Sequence, residues 1–378
     1  MTPFGFASAA RIRFGRGVIA ETPEAIAARG RRVFLVQGKS GRFSDQLIAP
    51  LRAKGVQIVP FTCDREPDLP MLESAVAAAQ AGGVDCVAAL GGGAVIDLGK
   101  AVAALAPSKS AAMDHLEVVG KGLPLAAAPL PFIAMPTTAG TGAEVTKNAV
   151  IAVPEHARKV SLRDDRMLAD LALVDPALTD GTPKAVTLAS GLDAVTQVIE
   201  PYLCSRANPL VDALCREAIP RGLTALRVLM DREDPAARDD LAFTSLCGGL
   251  ALANAGLGAV HGLAGVIGGI APNAPHGAVC GALLPHVLTA NRAATTHLPE
   301  VQDRMDQVMD WIAGSLTLRQ GSLADWVNRQ GLPRLSDMGV APEDHPRIAK
   351  DAAASSSMKA NPVTLSSNTL EQILANAG

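Results

Sequence analysis

Aromatic residues are scarce in this sequence. Tyrosine occurs once, tryptophan twice and phenylalanine eight times in 378 residues, 3% in all. That argues against stacking platforms for single-stranded nucleic acid. An excess of either charge is missing as well: 34 Lys and Arg face 37 Asp and Glu, for a formal net charge of −3. No long-range field draws the chain to nucleic acid or to an anionic membrane. The six cysteines (Cys63, Cys86, Cys204, Cys215, Cys247 and Cys280) form no C-x-x-C pair and no zinc-ribbon spacing. They read as small core hydrophobes in a reducing compartment. The N-terminal stretch "MTPFGFASAARIRFG" lacks a basic segment followed by an apolar one, so a secretory leader is not expected. A cytoplasmic location follows from these two readings.

A continuous apolar span is also absent. Residues 241–291 contain no Asp, Glu, Lys or Arg, but glycine pairs, Pro272, Pro275, Pro285 and three histidines interrupt them. A spanning helix needs about 20 consecutive apolar residues. The stretch reads instead as buried helices around a site, and no membrane partner is expected.

What is present is ordinary globular composition, 48% apolar and 19% charged, in a chain long enough for two domains. The first half alternates β-type and helical runs. Strands are expected at 31–38, 56–62 and 85–93, with a further strand running into the loop that ends at 144. Helices are expected at 44–55, 68–83 and 94–105. Such alternation predicts a parallel sheet wound with helices. After Asp180 the strand pattern stops and the remainder is helical. The expected architecture is therefore an α/β dinucleotide-binding domain over 1–180 and an all-α metal and substrate domain over 181–378.

Three stretches of the first half point to a nucleotide. Gly91, Gly92 and Gly93 lie between a strand and a helix start, where bare backbone and free N–H groups suit a diphosphate. The pattern departs from G-x-G-x-x-G, because Ile96 takes the third glycine's place. "PTTAGTGAE" adds Thr137, Thr138 and Thr141 beyond another strand's carboxyl end, where open α/β sheets bind ligands. After the first strand, Gly38 is followed by Lys39, Ser40 and Arg42. An acidic residue there would hold a ribose 2′-hydroxyl, whereas cations suit a 2′-phosphate, so NADP(H) is favoured over NAD(H).

In the second half, "GLDAVTQVIE" places Asp193 and Gln197 on one helical face. His261 and His276 each precede a glycine in the charge-free stretch. Spacing alone leaves two readings, convergent metal ligands with Asp193 or satisfied core histidines.

Taken together, these stretches resemble the iron-containing alcohol dehydrogenase superfamily, which includes glycerol dehydrogenase, dehydroquinate synthase and maleylacetate reductase. The resemblance runs from "RIRFGRGV" through "GGGAVIDLGKA", "PTTAGTGAEVT" and "ADLALVDPALT" to "GLDAVTQVIEPYLCSRANPLVDAL" and "PHGAVCGALLPHV". It implies a dehydroquinate-synthase-like architecture and hydride transfer between a nicotinamide and an alcohol or aldehyde, in the cleft between the domains. A dimer or larger assembly is also implied. Matched by position, Gly91, Gly92, Gly93, Asp97, Thr137 and Thr138 would contact the cofactor, and Lys159 would lie near nicotinamide or substrate. Asp193, His261 and His276 match three of four ligands of the iron-dependent members, with Gln197 where the fourth, a histidine, stands. Another family histidine, assigned to proton relay, is Gly265 here, and Ala94 replaces a common serine. Gly38 stands where NAD-specific members carry an acid.

Several readings stay open at this level. A divalent cation, zinc or iron, held by Asp193, His261, His276 and the amide of Gln197 would polarise the substrate oxygen. In a maleylacetate-reductase-like enzyme without metal, Lys159, His261 or His276 would stabilise the alkoxide, with Arg163 and Arg166 as clamps for a substrate carboxylate. The last reading is a nucleotide-binding protein that has lost catalysis.

Overall fold

The computed structural model describes residues 3–318 and 320–378. It divides into two compact units, one of residues 7–138 and 142–179, the other formed by residues 180–378 with the N-terminal six residues and Ala139–Thr141. The first two residues of the N-terminal stretch quoted above lie outside the described residues.

The α/β unit carries eight strands: β1 (Ile12–Phe14), β2 (Arg32–Gly38), β3 (Gln57–Cys63), β4 (Cys86–Gly91), β5 (Phe132–Pro136), β6 (Asn148–Val153), β7 (Arg158–Arg163) and β8 (Leu171–Val174). Its helices are α1 (Thr22–Ala27), α2 (Ser44–Ala53), α3 (Leu69–Ala81), α4 (Gly93–Leu105) and the single turn α5 (Ala112–His115). Six strands form one sheet in the order β1-β8-β5-β4-β2-β3, all neighbours parallel. The central strands read as continuous apolar runs because helices cover both faces. β4, CVAALG, and β5, FIAMP, are buried at every position. The helix signals are equally local. Asp68 caps α3 by accepting from the Met71 N–H at 2.8 Å, with Pro70 in the first turn.

The alternation expected from the sequence is present, with β2, β3, β4, β5 and α2, α3, α4 in their expected places. Three features were not anticipated. The edge strand β1 and its neighbour β8 are only three and four residues long, too short for a periodic signal. The third is an antiparallel hairpin, β6 and β7, that forms a separate two-stranded sheet and carries Lys159 opposite Ala152. Its polar-apolar alternation was masked by the turn-rich segment in which it lies.

The helical unit contains α6 (Lys184–Leu203), α7 (Pro209–Asp231), α8 (Pro235–Asn254), α9 (Ala259–Ile270), α10 (His276–Ala294), α11 (Pro299–Ser315), α12 (Leu323–Arg329), α13 (His345–Ala353) and α14 (Ser367–Ala377). Among the described residues it adds no strand. α6 is its axis, with every position from Gly191 to Leu203 buried. Small residues let other helices close on it. A Cβ at Gly191 would meet Leu226 of α7 at 2.6 Å, and one at Gly248 of α8 would meet Gln197 at 3.0 Å. Among the described residues, no single helix is long and apolar enough to cross a membrane. α8 and α9 pass such a test only as a pair bent by 94°.

Candidate active site

The nucleotide-type loops converge at the carboxyl edge of the parallel sheet. β4 has β5 on one side and β2 on the other, and β3 lies beyond β2. The chain thus reverses direction across the sheet between β2 and β4, which is where open α/β sheets leave a crevice for ligands. Gly91 pairs in register with Pro136, and the Thr137 N–H donates to the Gly91 carbonyl at 2.9 Å. A Cβ at Gly92 would stand 3.3 Å from Thr138 Oγ1, so the two loops are side by side. Gly91 itself must be glycine, since a Cβ there would fall 2.5 Å from Val95 Cγ2 in the first turn of α4. That tight turn delivers the start of α4 to the sheet edge while Ile96 packs beneath it, 1% exposed. Gly92 caps α4 with no side-chain hydrogen bond, leaving the helix start to backbone N–H groups.

Other residues singled out in the sequence lie in this unit, some exposed and some with side chains already engaged. Gly38 ends β2, and Lys39 and Ser40 are exposed in the turn that follows. The Arg42 guanidinium lies 4.8 Å above the Phe43 ring. Asp97 accepts from the Val150 N–H at 3.0 Å, tying α4 to β6. Lys159 Nζ is 3.8 Å from Glu66, with 9% of its side chain exposed. Arg163 donates to Glu117 at 2.8 Å, and Arg166 donates twice to Asp164, at 2.9 and 2.8 Å.

The second constellation belongs wholly to the helical unit. On α6, Asp193, Gln197 and Glu200 fall at i, i+4 and i+7, one stripe of a helix. All three are buried, at 2%, 4% and 6% exposure; Asp193 and Glu200 flank the two nitrogens of His261, and Gln197 turns to a loop carbonyl. Asp193 Oδ1 is 3.3 Å from His261 Nε2 and 4.0 Å from His276 Nε2. Glu200 Oε2 accepts from His261 Nδ1 at 2.6 Å, and its Oε1 accepts from the Val260 N–H at 2.7 Å. The amide nitrogen of Gln197 donates to the Thr141 carbonyl at 2.6 Å. The carboxamide thus holds the tripeptide Ala139–Thr141, the part of "PTTAGTGAE" that belongs to this unit.

His261 comes from the first turn of α9 and His276 is the first residue of α10. Their rings are 5.5 Å apart between centroids. The glycine after each histidine has a packing reason. A Cβ on Gly277 would collide with the Ala189 carbonyl of α6 at 2.3 Å, and one on Gly262 would press on Met358 at 3.1 Å. The start of α10 can therefore lie directly on α6. The side chain of His276 is 33% exposed and that of His261 6%. A Cβ at Gly265 would meet nothing within 4 Å, so that face of α9 opens onto free space.

One more donor is present. Asp193, His261, His276 and Cys280 offer ligand atoms that all lie within 4.8 Å of one another. Cys280 Sγ is 3.7 Å from His276 Nε2. Sequence reasoning treated Cys280 as a core hydrophobe and passed over Glu200. The signal for Cys280 was its place four residues after His276; for Glu200, it was its place on the Asp193 stripe.

The electrostatics are those of a buried, mutually dependent set. Burial pushes the Asp193 carboxyl up, but His261 and His276 more than offset it and hold the group below its usual range. Burial also disfavours the Cys280 thiolate, and again the two histidines outweigh it. The charge on Cys280 raises His276 to about 9 against burial. Glu200 is the acceptor for His261 Nδ1–H, so Nε2 is left facing the Asp193 carboxylate. Two acceptors at 3.3 Å require a proton or a cation between them. A divalent cation fits this donor set of one carboxylate, two imidazoles and one thiol.

Residues 9–176 match the iron-containing alcohol dehydrogenase family, and residues 187–378 match the C-terminal family of Fe-containing alcohol dehydrogenases. The chain belongs to the iron-containing alcohol dehydrogenase family. It is thereby an oxidoreductase of the class that acts on alcohols. Among curated members of that family, it is 36% identical to long-chain-alcohol dehydrogenase 1 of Geobacillus thermodenitrificans, over 78% of this chain and 73% of that protein. It is 31% identical to the probable alcohol dehydrogenase EutG of Salmonella typhimurium, over 96% and 92% of the two. In structure it resembles a 1,3-propanediol oxidoreductase with a TM-score of 0.87, at 28% identity and full coverage of both chains.

Proposed function

We propose that the protein is an NADP(H)-preferring alcohol dehydrogenase or aldehyde reductase in which Asp193, His261 and His276 hold a divalent cation. Residues 1–180 would bind the dinucleotide, and residues 181–378 the metal and a small alcohol or aldehyde. The observation that carries this reading is the convergence of those three side chains, from three helices, with His261 fixed by Glu200 so that Nε2 points at Asp193. Such carboxylate–histidine pairs orient metal-binding imidazoles.

When bound, the nicotinamide exchanges the hydride and the cation polarises the substrate oxygen. The residues of the chain do the rest. Backbone N–H groups of residues 91–93 at the start of α4 would receive the diphosphate, with Thr137 and Thr138 beside them. In the metal-free alternative, His276, the most exposed of the cluster, would instead be the group to pass a proton between substrate and solvent. The free space at Gly265 leaves room for substrate where the family carries a histidine. The turn Gly38-Lys39-Ser40 carries no carboxylate and presents an exposed lysine at the end of β2, which supports NADP(H).

The test is elemental mass spectrometry of protein purified without chelator, alongside Asp193→Ala and His276→Ala. The expected result is about one zinc or iron per chain, lost in both variants together with NADPH-dependent aldehyde reduction. Wild-type protein that reduces aldehydes while free of metal would overturn the cation's role.

A further inference from the structure

We infer that Cys280 is the fourth protein ligand of the cation held by Asp193, His261 and His276, in place of the side chain at 197, and that it turns the site toward zinc. The inference rests on the metal reading above and adds a ligand to it.

Helix spacing comes first. His276 and Cys280 are four apart on α10, so they project from one face as a chelating pair. Each is followed by a glycine that lets α10 settle on α6. Gly277 lies against the Ala189 carbonyl, and a Cβ on Gly281 would stand 2.5 Å from Leu192 Cδ1. The segment His276-Gly277-Ala278-Val279-Cys280-Gly281 thus repeats a donor–glycine unit one turn later. That brings the thiol down to the level of Asp193.

Distances come second. Zinc bonds of about 2.0–2.1 Å to nitrogen or oxygen and about 2.3 Å to sulfur, at tetrahedral angles, separate ligand atoms by roughly 3.3 Å for N–O pairs and roughly 3.6 Å for N–S pairs. The structure has 3.3 Å between His261 Nε2 and Asp193 Oδ1 and 3.7 Å between His276 Nε2 and Cys280 Sγ. A third separation, His276 Nε2 to Asp193 Oδ1, is 4.0 Å, and all four ligand atoms lie within 4.8 Å of one another. Two separations match those of one coordination shell, and shifts of under about 1.5 Å would bring the remaining ones to the same spacing.

Position 197 comes third. Its amide nitrogen is committed to the Thr141 carbonyl at 2.6 Å, and Gly248 packs on its Cβ. Gln197 therefore serves as a tether for the loop. Among the described residues, none of the other five cysteines falls in such a cluster. A thiolate beside two imidazoles and one carboxylate suits zinc better than Fe²⁺, because thiolate is the softer donor.

The experiment strips the full-length protein with chelator and reloads it with Co²⁺, whose thiolate complexes absorb in the near ultraviolet by sulfur-to-metal charge transfer. Wild type, Cys280→Ser and Cys280→Ala are compared, with bound cobalt measured in each. The expected result is about one Co²⁺ per chain and a charge-transfer band that both variants lose. Zinc affinity in Cys280→Ser should fall about 10- to 100-fold. Wild-type protein that binds Co²⁺ without the band would overturn the thiol ligand while leaving the three-ligand site standing. Wild-type protein that retains no Co²⁺ or Zn²⁺ would overturn both. Because the wild type alone decides these outcomes, a misfolded variant cannot blur them.

Discussion

Lys100 and Asp193 are both charged side chains buried in mid-helix, one in each unit, and their surroundings differ in kind. Lys100, 1% exposed on α4, donates to the Ala143 carbonyl at 2.6 Å and to Thr146 Oγ1 and the Asn148 carbonyl at 2.8 Å. Three acceptors use all three ammonium protons, and nothing is left to engage a ligand. Asp193, 2% exposed on α6, faces two imidazoles and a thiol, all of which are metal donors. The first arrangement is closed by its own loop and is structural. The second is held together only by shared protons, and a cation would satisfy all four groups at once. Burial of a charge therefore identifies neither kind of site; the chemistry of its neighbours does.

If that distinction is right, breaking the closed site should cost stability and leave metal binding alone. Lys100→Met removes the buried donor that ties α4 to Ala143, Thr146 and Asn148 and leaves only the Thr146 hydroxyl to serve the two carbonyls. It is expected to lower unfolding free energy by about 3 kcal/mol, measured by chemical denaturation, with metal content per folded chain unchanged.

Glu144, in the same loop, offers a pH test. Burial pushes its carboxyl up from 4.5 to about 7, against the pull of its own N–H and of Lys100. Below pH 4.5 it is protonated in both folded and unfolded chains. Between pH 4.5 and about 7 only the folded chain keeps the proton, so Glu144 makes stability fall as pH rises through that window. Glu144→Gln should flatten the fall, by an amount on the order of 2 kcal/mol. Thermal unfolding at pH 5 and pH 8 would show it. An unchanged difference between the two pH values would mean the buried carboxyl does not titrate there.

Glu200→Gln acts on the open site without touching a cation. It removes the charge that fixes His261 Nδ1–H, and metal affinity should drop about tenfold with little loss of stability. Competition with a fluorescent zinc chelator would measure it. Equal affinities in the two proteins would assign Glu200 to packing alone.

The smallest effect is expected at the sheet edge. Lys39→Ala should reduce the preference for NADPH over NADH a few-fold, on the order of 1 kcal/mol as befits an exposed charge. The readout is the ratio of kcat/KM for the two cofactors. An unaltered ratio would remove Lys39 from 2′-phosphate recognition.

The loops at the carboxyl edge of the parallel sheet were largely readable in advance. Gly91-Gly92-Gly93, the threonine loop and the turn after β2 are contiguous stretches, each just beyond the carboxyl end of a strand of the same parallel sheet. The short strands β1 and β8 were not readable, because β1 draws its stability from pairing with β8 and not from its own pattern. In the helical unit the sequence marked Asp193, His261 and His276 by their helix stripe and their glycines. It could not show that Gln197 turns to Thr141 or that Glu200 holds His261.

By itself, then, the sequence determined the alternation that builds a parallel sheet, the helical second half and the donor residues of three helices. These depend on periodicity and on neighbours a few positions apart. Only the tertiary structure decided which donors meet. α6, α9 and α10 could each be turned by a fraction of a turn without changing their patterns. The glycine contacts of Gly277 and Gly281 set that rotation, and with it Cys280 comes within reach of Asp193 and the two histidines while the Gln197 amide nitrogen bonds the Thr141 carbonyl.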